Sequence, residues 1–420
     1  MMADRVLGSP NACAETFAVV GARGKTSVAH ALAQVLAVEL PCGVIASVGY
    51  GFPGDLKTTG DRDLCSLETT LDGLCTRGAR AVAIEVSFDA LVRSRAEDLH
   101  FSHALFTGLD GVDLGGTCDT SDTSESPAIA EAVLRLFRSP GLKWAVLNLS
   151  DPFSKTILSV LPVGVGVAGF VADPTAEPPD DDLLAACDIC IRARSIAPMP
   201  RGLRLRVACE ARDACSEADL AVGLIGAFNA ANLLAVMAVL LARGLPLERA
   251  ARESSRIQGV PGRMECFGDA RTPLIVVDEA RTPAALETAL VNLRKHGPRR
   301  IFTVFGCAGE RDPAMRPVMG AIAERLSDEV ILADDNPRGE CGETIVADIL
   351  AGVVDPGRVR VRRRRAIAIR TAITLAGIED AVLVAGKGHE TIQEIGELKV
   401  RFSDRAQVVE ALREWQEGCR

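Results

Sequence analysis

Residues Phe17–Ser27 read FAVVGARGKTS, an apolar run that leads into a glycine-rich turn with a lysine. Phe17–Gly21 predicts a buried strand, and Lys25–Leu40 predicts the helix that follows it. Glycines let backbone N–H groups approach phosphate oxygens, and the start of a helix adds a positive dipole. We therefore expect a phosphate loop that binds a nucleotide, made of Gly21, Ala22, Arg23, Gly24, Lys25, Thr26 and Ser27.

Two side chains of this loop carry specific expectations. Lys25 is placed to reach the β- and γ-phosphates, and the Thr26 hydroxyl is placed to bind Mg²⁺. The first glycine lies only three residues before Gly24, so the spacing is shorter than in the general phosphate-loop pattern. The alternative interpretation is a plain strand–turn–helix with a surface lysine.

Short apolar runs and amphipathic stretches alternate along most of the chain, which is typical of a mostly parallel sheet with helices on both faces. In the first half, strands are expected at Arg80–Ser87, His103–Thr107 and Lys143–Asn148, with short antiparallel strands within Ile191–Leu220. The pattern restarts near Arg263, and further strands are expected at Leu274–Asp278, Ile301–Gly306, Glu329–Ala333 and Ala381–Ala385. We expect a tail at residues 1–15, one α/β domain at 16–264 and a second at 265–420.

The composition is that of a folded chain with an acidic surplus. The 420 residues are 48% apolar and 25% charged, and 47 basic against 56 acidic residues give a net charge of −9. This charge argues against nucleic-acid binding, and no apolar run reaches the ~18 residues of a membrane helix. Since the first residues lack an apolar signal segment, we expect a cytoplasmic protein with its 13 cysteines reduced.

Several motifs, in one order along the chain, resemble those of a known family. GARGKTS (21–27) is similar to the GTNGKTT loop of the Mur ligases, the ATP-dependent amide ligases of peptidoglycan synthesis. Three further segments resemble motifs of the same family, at 85–91 (EVSFDAL), 225–232 (IGAFNAAN) and 260–265 (VPGRME). The C-terminal motifs resemble the MurE type in particular, with matches at 304–312 (VFGCAGERD), 334–338 (DDNPR), 385–390 (AGKGHE) and 402–405 (FSDR). The resemblance implies an ATP-binding Mur-ligase domain followed by a Rossmann-like α/β ligase domain.

The resemblance also implies a reaction and the residues that carry it. ATP phosphorylates a donor carboxylate to an acyl phosphate, and an amino-acid amine then displaces the phosphate to form an amide. By position, Lys25, Glu85 and Arg263 become the catalytic candidates. Asn229 corresponds to a residue near the adenine, while Arg263 and Asp278 correspond to residues at the nucleotide phosphate and ribose.

A second group of residues resembles the pocket that holds the amino-acid acceptor in the diaminopimelate-adding MurE type. In that type the arginine pairs with the distal carboxylate of the acceptor and the glutamate with its distal ammonium. Arginine suits this task because its guanidinium grips a carboxylate with two hydrogen bonds. We call these residues the acceptor set: Asp335, Asn336, Arg338, Gly386 and Glu390.

The chain departs from the family pattern in its metal and donor motifs. Val133 occupies the place of the lysine whose carbamate supports a second Mg²⁺, and a metal-binding histidine is lost near Asp113. Asp113 could bind Mg²⁺ in its place, beside Thr26 and Glu85, and the acidic loop around Asp119, Asp122 and Glu125 could contribute. The family's DYAHTP reads DEARTP at 278–283, so that Arg281 replaces a histidine.

A further difference concerns the donor. Because the phosphate loop begins at residue 21, we expect the family's separate UDP-sugar-binding domain to be absent and the donor carboxylate not to be a UDP-sugar peptide. A carrier protein or a separate donor-binding chain then stays open as a partner. The alternative hypothesis is a degenerate homologue that binds a nucleotide or a partner without catalysis.

Three other features have ordinary structural interpretations. Cys187–Cys190 is a lone CxxC, whereas zinc sites usually need four ligands. The basic run RVRVRRRR (358–365) is expected at a solvated strand-to-helix junction. His389 lies in a matching motif, but a single histidine is also compatible with a structural role.

Overall fold

The computed structural model describes residues 15–57, 67–93, 99–109, 126–177, 179–211 and 214–418. The chain forms two compact units. The first comprises the described parts of Met1–Ile196, Arg204–Val222 and Phe228–Ile257; the second comprises Ala197–Leu203, Gly223–Ala227 and the described part of Gln258–Arg420. The domain limits expected from the sequence, 16–264 and 265–420, stay predictions.

An eleven-stranded sheet organises the described residues up to about 257. Its elements are β1 (Glu15–Val20), α1 (Lys25–Leu36), β2 (Cys42–Ala46), β3 (Gly49–Phe52), β4 (Asp55–Lys57), α2 (Leu67–Thr76), β5 (Ala81–Glu85), α3 (Phe88–Val92), β6 (His103–Phe106), α4 (Ser126–Phe137), β7 (Trp144–Asn148), α5 (Phe153–Leu158), β8 (Gly166–Val171), α6 (Asp181–Ala185), β9 (Ile189–Met199), β10 (Gly202–Ala211), β11 (Ala214–Val222), α7 (Asn229–Ala242) and α8 (Leu247–Ser254). The strand order is β11-β10-β9-β8-β7-β6-β1-β5-β2-β3-β4.

The centre of this sheet is parallel, as the sequence predicts. β1 lies between β5 and β6 and runs parallel to both. The strands expected as short within Ile191–Leu220 are instead β9, β10 and β11, of 11, 10 and 9 residues. The helix expected to reach Leu40 ends at Leu36, whose carbonyl accepts hydrogen bonds from the amides of both Glu39 and Leu40.

Helix α7 shows why this unit is stable. Twelve of its fourteen residues are buried, because it is apolar on every side and is covered on all of them. Leu234 at its middle is fully enclosed. Replacing such a leucine by alanine typically costs about 2–5 kcal/mol of unfolding free energy.

The second unit is built on a six-stranded sheet in the order β12-β13-β17-β14-β15-β16. Its elements, with a separate two-stranded ribbon β18-β19, are β12 (Glu265–Phe267), β13 (Leu274–Asp278), α9 (Pro283–Lys295), β14 (Ile301–Phe305), α10 (Met315–Leu326), β15 (Glu329–Leu332), α11 (Gly342–Leu350), β16 (Val359–Val361), α12 (Arg365–Leu375), β17 (Ala381–Ala385), β18 (Ile392–Ile395), β19 (Leu398–Arg401) and α13 (Asp404–Gly418).

Alternate residues of this sheet enter two separate cores. Leu274 and Val276 of β13 pack on the face that also buries residues of α9, α10 and α11. Ile275 and Val277 point to the opposite face, where α12 and α13 lie. A parallel strand covered on both sides therefore appears in the sequence as the continuous apolar run LIVVD.

Candidate active site

The phosphate loop lies where three neighbouring parallel strands end. In the sheet register Val19 of β1 is opposite Glu85, and Val20 is opposite Phe106 of β6. Glu85, Gly21 and Thr107 therefore leave the sheet at the same edge. Ligands of α/β sheets bind at such carboxyl ends, next to the start of a helix.

Glycine is needed at both ends of the turn. Gly21 has φ +147°, and a Cβ there would lie 2.2 Å from Thr107 Oγ1 and 2.8 Å from the Gly108 carbonyl oxygen. Gly24 has φ +81°, and a Cβ there would lie 2.5 Å from Asn232 Oδ1. Hydrogen bonds complete the turn, from Ala22 N to Gly108 O (2.7 Å) and from Thr107 Oγ1 to Arg23 O (2.6 Å).

The polar side chains of the loop form two groups. Lys25 Nζ donates to the carbonyls of Gly21 (2.7 Å) and Ala22 (3.3 Å), so its ammonium lies over the turn. Thr26 Oγ1 donates to Glu85 Oε2 (2.8 Å), which also accepts the Ser47 amide (2.8 Å). Two hydroxyls and a carboxylate are hard oxygen ligands, so Thr26, Glu85 and Ser47 fit a Mg²⁺ ion. Ser47 was missed in the sequence because it follows β2, far from the loop in the chain.

Other polar residues of this unit surround the phosphate loop or support the chain next to it. Asn229 and Asn232 share a hydrogen bond of 2.9 Å at the start of α7, and Asn232 touches the loop at Gly24. Asp151 accepts the Leu109 amide (2.6 Å) and so fixes the chain after β6. Asp113 and the acidic residues Asp119, Asp122 and Glu125 lie outside the described residues.

In the second unit, Arg263 and Asp278 are linked through contacts with each other's chain neighbours. Asp278 accepts the amides of Met264 (2.8 Å) and Ala280 (2.9 Å). Burial raises the pKa of its carboxyl. Arg263 makes an ion pair with Glu279. The turn that precedes Arg263 packs closely on the 385–390 motif, since a Cβ on Gly262 would lie 2.1 Å from His389 N.

Four members of the acceptor set come together. Asn336 Nδ2 donates to Glu390 Oε2 (2.9 Å), across 54 residues of sequence. Gly386 leaves room for the Asp335 carboxylate, because a Cβ there would lie 2.4 Å from Asp335 Oδ2. Arg338 is joined less directly: its Nε donates to Glu394 Oε2 (3.0 Å), and the Glu394 amide donates to Asn336 Oδ1 (3.1 Å).

A fully buried lysine joins these residues. Lys387 Nζ donates to Asn336 Oδ1 (2.8 Å), Glu390 Oε2 (2.8 Å) and the Ile392 carbonyl (2.7 Å). Its ammonium therefore has three partners that compensate for its burial. Lys387 was not among the residues expected at the site, although it lies inside the AGKGHE motif. What the motif does not reveal is that this lysine points inward.

Electrostatics differ between the two carboxylates of the set. Burial raises the pKa of Asp335, against the opposing charges of Arg365 and Lys387. Burial also acts to raise the pKa of Glu390, but the hydrogen bond and charge of Lys387 and the charge of Arg281 outweigh it and lower that pKa. Glu390 is therefore held as a carboxylate between two cations.

The chain was compared with protein families, curated proteins and solved structures. The family description "Mur ligase middle domain" matches residues 19–240, and "Mur ligase, glutamate ligase domain" matches residues 262–388. A UDP-N-acetylmuramoyl-L-alanyl-D-glutamate–2,6-diaminopimelate ligase of Alkalilimnicola ehrlichii is 42% identical over 100% of this chain and 80% of its own length. The chain belongs to the Mur ligase family. It is an ATP-dependent carbon–nitrogen ligase of that family.

Other similarities agree with this assignment. The ligase of the same name from Coxiella burnetii is 37% identical over 98% of the chain and 81% of its own length. A solved diaminopimelate ligase of this kind superposes with a TM-score of 0.69 at 29% identity, covering 96% of this chain and 79% of that one. A Mycobacterium tuberculosis folylpolyglutamate synthase complexed with ADP shares the fold, with a TM-score of 0.63 at 17% identity over 90% of this chain and 89% of that one.

The departures from the Mur ligase pattern have clear structural consequences. Val133 on α4 is fully buried in the core of the first unit, so this position faces apolar side chains. Arg281 makes an ion pair with Glu390 (2.5 Å) and donates to the Gly386 carbonyl (2.8 Å). Glu279 pairs with Arg263, and its Oε2 lies 3.6 Å from His389 Nδ1. Both charged replacements thus contact predicted site residues of opposite charge.

Backbone strain marks the same motifs. In the part of the chain that the structure describes, the non-glycine residues with left-handed φ are Met264 (+43°), Glu310 (+59°) and Arg338 (+52°). Each lies in a segment that resembles a Mur ligase motif. Such conformations cost of order 1–3 kcal/mol, and they persist where the surrounding structure requires them, often at functional sites.

Two of the features given ordinary structural interpretations, the CxxC pair and the basic run, lie among the described residues as follows. Cys187 and Cys190 are buried, and desolvation raises the pKa of each thiol, to about 11 and about 12. The basic run includes β16 and the turn into α12, where Arg363 pairs with Asp334 (2.9 Å). Its last residue, Arg365, is fully buried, so the expectation of a solvated junction is wrong at that residue. Within the described ranges there is no group of three His, Cys, Asp or Glu side chains placed to hold a metal ion. No helix among the described residues is long and apolar enough to cross a bilayer.

Proposed function

We propose that this ligase joins the amine of an amino acid of the diaminopimelate class to the carboxylate of a UDP-linked muramoyl peptide, with conversion of ATP to ADP. The observation that supports this most is the contact between Asn336 and Glu390, which brings two parts of the acceptor set together. The relatives are named for the same acceptor and for a UDP-N-acetylmuramoyl-L-alanyl-D-glutamate donor. The different donor expected from the sequence has no support in those names.

In the proposed reaction the donor carboxylate attacks the γ-phosphorus of ATP, and ADP leaves. The acceptor amine then attacks the acyl carbon and loses a proton, and inorganic phosphate leaves. Lys25 and the amides of the phosphate loop hold the phosphates, and Asn229 is the predicted adenine residue of the same unit; Arg263 and Asp278 of the second unit stay predicted ATP-binding residues. The chain contributes mainly positioning and positive charge.

Mg²⁺ is part of this proposal. Thr26, Glu85 and Ser47 are the described residues that would hold it, and Asp113 stays a predicted ligand. When bound, the ion supplies positive charge at the phosphate oxygens.

Calorimetry and an ADP-release assay test the proposal together. We expect Mg²⁺-dependent ATP binding, and ADP release only when UDP-N-acetylmuramoyl-L-alanyl-D-glutamate and an amino acid of the diaminopimelate class are both present. Tight ATP binding without ADP release, whatever substrates are added, would contradict the proposal and favour a degenerate nucleotide-binding homologue. ADP release with a carrier-linked carboxylate alone would contradict the proposed donor.

A further inference from the structure

The Glu390 carboxylate is already surrounded by donors, two of them cations. Its Oε1 accepts from Arg281 Nη2 at 2.5 Å, and its Oε2 accepts from Lys387 Nζ at 2.8 Å and from Asn336 Nδ2 at 2.9 Å. A carboxylate has about four acceptor positions. These three contacts use most of them, and the two positive charges exceed the single negative charge of Glu390.

Arg281 is held in place but remains accessible. Its Nε donates to the Gly386 carbonyl, and the next residue, Thr282, caps α9 by accepting the Ala285 amide. The side chain is still 30% exposed. A guanidinium has five N–H donors. The bonds from Arg281 to the Gly386 carbonyl and to Glu390 use two of them, so others can face a ligand.

Two other carboxylates, Asp335 of the acceptor set and Glu394 beside it, are not available as partners for a ligand ammonium. Asp335 is 3% exposed and lies directly beneath Gly386. Glu394 is paired with both Arg338 (3.0 Å) and Lys399 (3.4 Å). Within the described part of this cluster, each acidic side chain is therefore enclosed or matched by a cation. The one oxygen of this cluster without a hydrogen-bond partner among the described residues, Asp335 Oδ2, is buried, so a ligand ammonium would approach Arg281 with no accessible unpaired carboxylate to receive it.

We propose that Arg281 narrows the acceptor specificity of this site: its guanidinium takes the contact with Glu390 that the resemblance assigns to a distal ammonium, so that, among diaminopimelate and its analogues, the enzyme prefers the amino dicarboxylate that lacks a second amine. The inference rests on the proposed function, because it takes the acceptor set as the acceptor pocket. Such an acceptor keeps the α-amine that forms the amide and the distal carboxylate that an arginine grips. 2-Aminopimelate, which is diaminopimelate without its distal amine, represents this class.

Calorimetric titration with 2-aminopimelate and with meso-diaminopimelate, in the presence of ADP and Mg²⁺, tests the inference without a donor. Because the distal ammonium of meso-diaminopimelate is repelled by the Arg281 guanidinium, we expect 2-aminopimelate to bind at least about tenfold more tightly. Arg281→His, which restores the residue of the family motif, should remove or reverse this preference. Arg281→Lys keeps the positive charge and should retain most of it.

Arg325→His is the matched control, because Arg325 makes an exposed ion pair with Glu287 (2.7 Å) elsewhere in the same unit. It should bind both amino acids like the wild type. Three results would overturn the inference. The wild type could bind meso-diaminopimelate more tightly, or it could bind neither amino acid. Arg281→His could also leave the ratio of the two Kd values within about twofold of the wild-type ratio. If ATP-dependent ligation of meso-diaminopimelate is still observed in those cases, the proposed function stands and only the inference fails. If the enzyme discriminates between the two amino acids in binding but ligates neither, the proposed function fails.

Discussion

At the residue scale, charges in this molecule are arranged in short, specific contacts. Lys25 lies over the phosphate loop, Lys387 joins the acceptor set, and Arg281 pairs with Glu390. Each is a cation with several oxygen partners. Their roles therefore differ from those of exposed surface pairs, which contribute about 0–1 kcal/mol to unfolding free energy.

Replacement of Lys25 tests the phosphate loop most directly. We expect Lys25→Ala to lower the rate of ADP release at least about 100-fold, the usual effect of removing a preorganised donor to developing charge. Lys155→Ala is the control, since Lys155 makes an exposed pair with Asp180 (2.9 Å). A wild-type rate in Lys25→Ala would contradict the assignment of the loop.

Glu279 offers a second test at this scale. Its carboxylate neutralises Arg263 and lies beside His389, where the family motif has tyrosine. We expect Glu279→Tyr to release the Arg263 charge for nucleotide phosphate and to lower the Kd for ATP by a factor of about 2–5, the size of a typical exposed charge contact. Calorimetry measures this directly, and Glu287→Tyr on the exposed face of α9 should leave the Kd unchanged.

At the element scale, the turn between β1 and α1 depends on close approach. We expect Gly21→Ala to raise the Kd for ATP at least about tenfold, because the new Cβ meets Thr107 and Gly108 and the backbone is strained by about 1–3 kcal/mol. Gly78→Ala is a matched control: it also has positive φ (+96°), but nothing lies within 4 Å of the added Cβ. Equal effects of both variants on ATP binding would contradict the role of close approach.

Helices α12 and α13 are joined by one buried and one exposed ion pair, so the contributions of the two pairs to the unfolding free energy can be compared. Arg365 and Asp404 are both 0% exposed and are bonded twice, at 2.7 Å each. We expect Asp404→Ala to lower the unfolding free energy by about 3–5 kcal/mol, since it leaves a buried charge uncompensated. Glu414→Ala breaks the exposed Arg370–Glu414 pair (3.1 Å) of the same helices and should cost at most about 1 kcal/mol. Denaturant titration separates the two outcomes.

At the scale of the whole molecule, each unit has its own core, and stability depends on groups buried there. His103 of β6 is stacked on Phe17 at 4.4 Å and is buried. Burial, with the charges of Arg243 and Lys143, lowers its pKa from 6.5 to about 3. The folded chain therefore keeps this ring neutral where the unfolded chain protonates it.

This difference sets the sign of a pH dependence. Between about pH 6.5 and pH 3 the unfolded chain binds one more proton at His103, so stability falls as the pH is lowered through that window, by about 2 kcal/mol at pH 5. We expect His103→Gln to be less stable at pH 7 but to lose less stability between pH 7 and pH 5. Parallel pH profiles of His103→Gln and the wild type would contradict this account.

The sequence alone determined several of the central strands, the mostly parallel sheets and the family, but not the edge strands β3, β4 and β16 or the ribbon β18-β19. This was possible because buried strands such as LIVVD and the glycine-rich turn GARGKTS are local patterns with local physical causes. A residue such as Thr282 at the start of α9 is similarly recognisable, because its cap and the following proline lie within one turn.

Only the tertiary structure decided which distant side chains meet. Ser47 reaches Glu85 because β2 and β5 are neighbours in the sheet, and Lys387 reaches Asn336 across 51 residues. The sequence marked Arg281 merely as a departure from a motif, whereas its contact with Glu390 gives it a chemical role. The physical reason is that hydrogen bonds and ion pairs act over about 3 Å in space, so chain positions far apart become partners only when strand order and register bring them together.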